Sequence, residues 1–128
     1  MKFAHTALSV RNLEESRKFY ETVFNLKLSV EGKREELGIR FISLTDKKGN
    51  AIELIQHKNP VPLAEDLMDF ERVGIKHVGF EVENIEEVIE RAKKLGAKVL
   101  WEPRKGVTVK RVAFVSDPDG IPIELVEA

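Results

Sequence analysis

Four residues of this 128-residue chain stand where packing alone gives no reason for them. Glu124 lies between Ile123 and Leu125 in "DPDGIPIELVEA", and Glu53 lies between Ile52 and Leu54 in "KKGNAIELIQ". His5 and His77 open two further alternating stretches, "HTALSV" and "HVGFEV". Two imidazoles and two carboxylates make a mixed N/O donor set. Such a set suits a borderline divalent ion, Zn²⁺, Ni²⁺, Co²⁺ or Mn²⁺, better than Ca²⁺. Four protein ligands in an octahedral shell leave two positions open, as Lewis-acid catalysis requires. With no cation between them, two carboxylates on an enclosed face repel each other and lose hydration.

What singles these four out is recurrence. "HTALSVRNLEE" (residues 5–15) lies over "HVGFEVENIEE" (residues 77–87) at an offset of 72, matching His5 to His77, Val10 to Val82 and Asn12 to Asn84. "DKKGNAIELI" lies over "DPDGIPIELV" at an offset of 71, matching Asp46 to Asp117, Gly49 to Gly120 and Glu53 to Glu124. A lone histidine or glutamate on a strand is most often a surface or edge residue. Packing could preserve an apolar repeat, but it would not favour a repeated glutamate. His57, the third histidine, has no counterpart in the second half and reads as exposed connector.

Elements of matching order must carry the four. Each half begins with an alternating strand, Phe3–Val10 or Lys76–Val82. A helix follows, opened by Asn12 or Asn84 with Glu15 or Glu87 three residues on, the spacing of a capping box. The first helix buries Leu13, Tyr20, Val23 and Phe24; the second carries Ile85, Val88, Ile89, Ala92 and Leu95 on one stripe and ends at Gly96. Three strands complete each half, near Lys27–Glu31, Gly38–Leu44 and Ala51–Gln56, then near Lys98–Glu102, Arg111–Ser116 and Pro122–Val126. "DKKGN" and "DPDG" turn the last two strands of each half into hairpins. The pattern is βαβββ, twice, within one domain over residues 1–128. Module one spans about 1–57, a connector about 58–74, and module two about 75–128. Pro60 and Pro62 break the connector, and a short helix over Leu63–Arg72 is expected inside it. Strand alternation puts His5, Ala7 and Ser9 opposite Leu8 and Val10, and sets Glu53 and Glu124 opposite their apolar neighbours. His5, Glu53, His77 and Glu124 can then converge from four strands.

The totals exclude several classes of function. A net charge of −1 with dispersed basic residues gives no footprint for nucleic acid or an anionic membrane. No apolar run is long enough to span a bilayer, and the opening "MKFAHTALSV" is not a secretion signal. With no cysteine there is neither disulfide nor thiolate chemistry. A cytoplasmic protein is expected.

The chain resembles the vicinal oxygen chelate superfamily, and within it the glyoxalase I (lactoylglutathione lyase) branch. The stretches that carry the likeness are "HTALSV", "RNLEESRKFYETVFNLKL", "AIEL", "KHVGFEVENIEE", "LGAKV" and "VAFVSDPDGIPIEL", together nearly the whole chain. The resemblance implies an α+β fold in which paired βαβββ modules form a U-shaped, half-barrel mixed sheet around a metal, the glyoxalase/bleomycin-resistance/dioxygenase fold. It also implies a homodimer with sites at or near the interface. The implied ligands are His5, Glu53, His77 and Glu124, holding one divalent ion (Ni, Zn, Co or Mn) per site. The implied small-molecule substrate is the hemithioacetal of glutathione and a 2-oxoaldehyde such as methylglyoxal, converted to S-lactoylglutathione through an enediolate. Glu124 is the first choice for the base that moves the proton, with Glu53 as its counterpart; both are the catalytic candidates.

Some positions depart from that branch. Ser9 stands where arginine is common, His57 where asparagine is common, and Ile121 replaces a usual tyrosine. "GIKHVGFEVENIEE" is equally similar to methylmalonyl-CoA epimerase, another enzyme of proton abstraction. The alternatives to a glyoxalase are therefore that epimerase, another superfamily enzyme on a different carbonyl compound, or a non-catalytic binder of small molecules. Arg40, Lys105, Lys110 and Arg111 are candidates for an anionic substrate tail, although a solvated surface is the commoner role for each. Trp101 and Phe114 read as core rather than cavity lining.

Overall fold

Asn12 and Asn84 start the two helices by the same device. In the computed structural model, which describes residues 1–128, each asparagine is extended, and its side-chain oxygen accepts the N–H three residues on, from Glu15 at 2.9 Å and Glu87 at 3.1 Å. These bonds satisfy donors that a helix N-terminus leaves free. Helix α1 (Leu13–Phe24) ends at Asn25 in the left-handed region, and α2 (Ile85–Lys94) is followed by Gly96 at φ +87°. Asparagine and glycine are the residues that tolerate this conformation.

The backbone divides into two compact units, Met1–Pro62 and Leu63–Ala128. Around α1, the first unit holds β1 (Thr6–Ser9), β2 (Lys27–Arg34), a 3₁₀ turn (Glu35–Leu37), β3 (Ile39–Thr45) and β4 (Ala51–His57). Around α2, the second holds β5 (Val78–Glu81), β6 (Val99–Lys105), β7 (Arg111–Ser116) and β8 (Pro122–Glu127). Each unit is one mixed four-stranded sheet, ordered β1-β4-β3-β2 in the first and β5-β8-β7-β6 in the second. In both, the first strand runs parallel to the last and the other pairs are antiparallel. The βαβββ repeat is thus the architecture of each unit, as the sequence pattern predicts.

Both hairpin turns are closed by an aspartate. Asp46 accepts the N–H groups of Lys48 and Asn50, and Asp117 those of Asp119 and Ile121, all at 2.8–3.0 Å. Gly49 and Gly120 supply the positive φ, +85° and +86°, that each turn needs.

In the first unit, Leu13, Phe19, Tyr20 and Val23 of α1 are buried, as are Leu8, Ile42, Leu44, Ile52 and Leu54 of the sheet. Phe19 rather than Phe24 completes the helix stripe; Phe24 is half-buried and stacks on Tyr20 at 6.1 Å. In the second unit Ile85, Val88, Ile89 and Ala92 of α2 are buried together with Ala113, Val115, Ile123 and Leu125.

Several expected boundaries shift. β1 and β5 are shorter than the alternation suggests, so His5 and His77 each sit one residue before a strand. β2 and β6 are longer, and β6 contains Pro103. The pairing slips between Trp101 and Arg104, and β6 is an edge strand, the two circumstances in which a sheet accepts proline. No helix forms over Leu63–Arg72. Asp66 and Asp69 cap isolated turns there, accepting the N–H groups of Met68 at 2.9 Å and Glu71 at 3.2 Å. Such side-chain bonds compete with a helix for the same donors. His57 is exposed as expected, but it ends β4 rather than lying in a connector.

Candidate metal centre

Strand register builds the two halves of the centre alike. Glu53 is opposite Ala7 in the β1–β4 ladder, and Glu124 is opposite Gly79 in the β5–β8 ladder. Each histidine lies two residues before that small residue and so shares its face. A Cβ placed on Gly79 would stand 3.4 Å from Glu124 Oε1, so the carboxylate lies back over the glycine. A small neighbour on the adjoining strand leaves each glutamate the space to turn toward its histidine.

The result is one imidazole–carboxylate pair per unit. His5 Nε2 is 3.7 Å from Glu53 Oε2, and His77 Nε2 is 3.9 Å from Glu124 Oε1. No group of three or more potential ligands is assembled around a common point; the structure places the four as two pairs. Both separations exceed a hydrogen bond. Two donors bound at about 2.1 Å to one ion stand roughly 3.0–3.4 Å apart, so each pair is about 0.3–0.9 Å wider than shared coordination needs.

The surroundings of the two pairs differ. His77 packs edge-on against Phe114, ring centres 5.1 Å apart, and Phe114 meets Trp101 at 4.9 Å. Arg104 lies over the Trp101 ring at 4.2 Å. Phe114 is buried and cross-strand from Glu124, on the same face, so it is both core and wall of the pair. Ser43 holds the corresponding place beside Glu53. His5 is the more open imidazole, with 45% of its side chain accessible against 30% for His77. The Nδ1 atom of His77 is buried without a hydrogen-bond partner. A buried ring nitrogen left unpaired is costly, and an imidazole beside a carboxylate it does not hydrogen-bond is a donor pair suited to a divalent ion.

Three of the four cations considered for a substrate tail lie elsewhere. Arg40 is in register with Gln56, and Arg111 with Glu127, three positions from Glu53 and Glu124 respectively. An odd separation turns them to the opposite, helix-bearing faces, and Lys105 joins Arg111 there.

On that reverse face lies a network missed in the sequence. The Glu127 carboxylate accepts the Ile85 N–H of α2 at 2.8 Å and receives Arg111 at 3.0 and 2.7 Å. Arg111 also donates two bonds to Glu86, at 2.6 and 2.8 Å. Arg111 and the Ile85 N–H together hold the Glu127 carboxyl down to about 2, and Glu86, with Glu127, raises the Arg111 guanidinium further. The first unit carries the same frame in weaker form. Gln56 Oε1 accepts the Leu13 N–H at 2.8 Å, and Arg40 reaches Glu14 only at 3.5 Å. Extending the alignment by one residue, to "AIELIQ" over "PIELVE", would have revealed the correspondence.

No helix is long and apolar enough to cross a membrane. Comparison with known proteins agrees with the architecture. The chain is 33% identical to the lactoylglutathione lyase of Neisseria meningitidis serogroup A, covering 99% of this chain and 91% of that protein. It is 31% identical to the lactoylglutathione lyase of Salmonella typhimurium, covering 100% and 93%. Among solved structures, a glyoxalase family protein from Bacillus cereus superposes with a TM-score of 0.84 at 22% identity, over 99% of this chain and 93% of that one. Residues 2–125 match the profile of the Glyoxalase/Bleomycin resistance protein/Dioxygenase superfamily. With two βαβββ units, a His–Glu pair on each and this match along its length, the chain belongs to that superfamily.

Proposed function

We propose that this protein is a metal-dependent glyoxalase I-like lyase acting on the hemithioacetal of a 2-oxoaldehyde and glutathione. The observation that carries the reading is the repeated His–Glu pair, His5 with Glu53 and His77 with Glu124. It stands in a chain similar end to end to lactoylglutathione lyases. The four side chains are the proposed ligands of one divalent ion, Ni²⁺, Zn²⁺, Co²⁺ or Mn²⁺. The working form is a homodimer in the cytoplasm, and the two pairs that complete one ligand set can come from two chains.

A divalent ion held by these donors supplies Lewis-acid stabilisation to negative charge developing on the substrate oxygens. The chain's own residues do the rest. Glu124 takes the carbon-bound proton of the hemithioacetal and returns it to the neighbouring carbon, so the aldehyde carbon becomes the thioester carbonyl. Glu53 is the equivalent carboxylate on the other side of the substrate. Gly79 leaves the Glu124 carboxylate room to move between its two tasks. Phe114 keeps the His77 ring in place.

The test is direct. Protein supplied with Ni²⁺, Co²⁺, Zn²⁺ or Mn²⁺ in turn is mixed with methylglyoxal and glutathione, and formation of the thioester is followed by its absorbance. Turnover that disappears on chelation and falls about 10²–10⁴-fold in Glu124→Gln supports the proposal. Absence of turnover with every one of the four metals refutes it.

A further inference from the structure

The two units provide an internal comparison on their helix-bearing faces. In the second unit, the Glu127 carboxylate fills the corner between the first N–H of α2 and Arg111, using both oxygens. In the first unit the same corner holds Gln56, whose single carbonyl oxygen is occupied by the Leu13 N–H. Arg40 is the cross-strand neighbour of Gln56 as Arg111 is of Glu127. Its only ion pair is the 3.5 Å approach to Glu14, and its side chain is 55% accessible.

A concavity of about 330 Å³ opens beside it, lined by Lys33, Glu35, Arg40, Gln56 and Lys58 among others. Three of these residues are cationic and one is acidic. Lys33 is matched by Glu35 at 3.0 Å, which leaves Lys58 with no ion pair and Arg40 with only the 3.5 Å approach to Glu14. The Lys58 stem lies over Gly38, its Cε 3.2 Å from where a Cβ would stand. With φ at +68°, that position favours glycine, and the missing side chain helps to keep the hollow open. A guanidinium fork with free N–H groups, next to an unpaired ammonium, matches an anion with two or more oxygens.

We propose that this hollow on the helix-bearing side of the first unit binds a small multi-oxygen anion, a phosphate or a dicarboxylate. Gln56 fills the corner itself, so the anion sits in the hollow beside Arg40 and supplies there the negative charge that the Glu127 carboxylate supplies to Arg111. Because Gln56 and Glu53 face opposite sides of β4, the site is separate from the His–Glu pair and its ligand does not compete there.

Isothermal titration of the whole protein with inorganic phosphate and with succinate, at constant ionic strength set with chloride, tests this. One saturable site for at least one of the two is expected. The arm that binds more tightly identifies the source as a phosphate or a carboxylate compound. Arg40→Ala and Lys58→Ala each weaken it tenfold or more. Gln56→Glu removes binding and raises the melting temperature of the ligand-free protein, because the new carboxylate matches the Arg40 charge from within. That variant builds the arrangement already present in the second unit, so loss of fold does not confuse its outcome. Absence of saturable binding to both probes, or an affinity unchanged by Gln56→Glu or by Arg40→Ala, overturns the proposal.

Discussion

Phe114 links the packing of the second unit to its imidazole, and removing it separates the two roles. The ring is 2% exposed and makes edge contacts with His77 at 84° and Trp101 at 75°. Phe114→Ala deletes a buried aromatic and leaves a cavity, a loss of about 3–5 kcal/mol. A chain of 128 residues has an unfolding entropy of about 0.27 kcal/mol/K. The midpoint should therefore fall by roughly 10–20 °C in calorimetry. Phe114→Leu restores most of the volume and costs about 1–2 kcal/mol, or roughly 4–7 °C. Neither residue supplies the flat ring edge that fixes His77. Both variants should thus weaken Zn²⁺ or Ni²⁺ binding by about tenfold, the scale expected when a ligand's supporting contact is lost. Competition titration with a chromogenic chelator, well below both midpoints, reads that affinity. Metal affinity unchanged in folded Phe114→Ala would refute the link between ring packing and ligand placement. A midpoint drop under about 5 °C would refute the packing estimate.

Asn12→Ala and Asn84→Ala each remove a capping acceptor and should cost about 1 kcal/mol, or near 4 °C, while glycine at either position should cost only a few tenths of a kcal/mol; thermal melts of the four variants decide this. Leu54 is fully buried beneath α1, and Leu54→Ala should cost about 2–5 kcal/mol in urea unfolding. Glu127 is held down to about 2 from an ordinary 4.5, so its contribution is complete above pH 4.5 and is lost as the pH falls toward 2. The melting temperature should decline over that acid window, and Glu127→Gln should flatten the decline; an identical acid profile in the variant would show that the Arg111 pair is not its source.

Much of the fold was legible because the chain states it twice. The alternation around Ile52 and Leu54, repeated at Ile123 and Leu125, placed the central strands, and the two asparagines placed both helix starts. The connector misled because Leu63, Leu67 and Phe70 have helical spacing. Two aspartates there bond their own neighbourhood instead, and Leu63 and Phe70 remain exposed, so burial of that stripe does not outweigh them. The faces taken by Glu53 and Glu124 were legible, since alternation fixes which side of a strand a glutamate takes. Their pairing distances were not, because side-chain placement depends on neighbours such as Gly79 and Phe114 that come from other strands. The ion-pair network of Arg111, read as a solvated residue or a candidate for the substrate tail, was not legible for a related reason. Its partners Glu86 and Glu127 are remote in sequence and meet it only through the β7–β8 ladder and the start of α2.

The parallel pairing of the first and last strands within each unit also orders events in time. β2, β3 and β4 are joined by local connections and can zip together early, and so can β6, β7 and β8. β1 and β5 must instead wait for partners that lie a whole module away along the chain, which makes them slow to dock. His5 and His77 ride immediately ahead of those two strands. Contact order thus predicts that each imidazole meets its carboxylate late in the folding of its own unit.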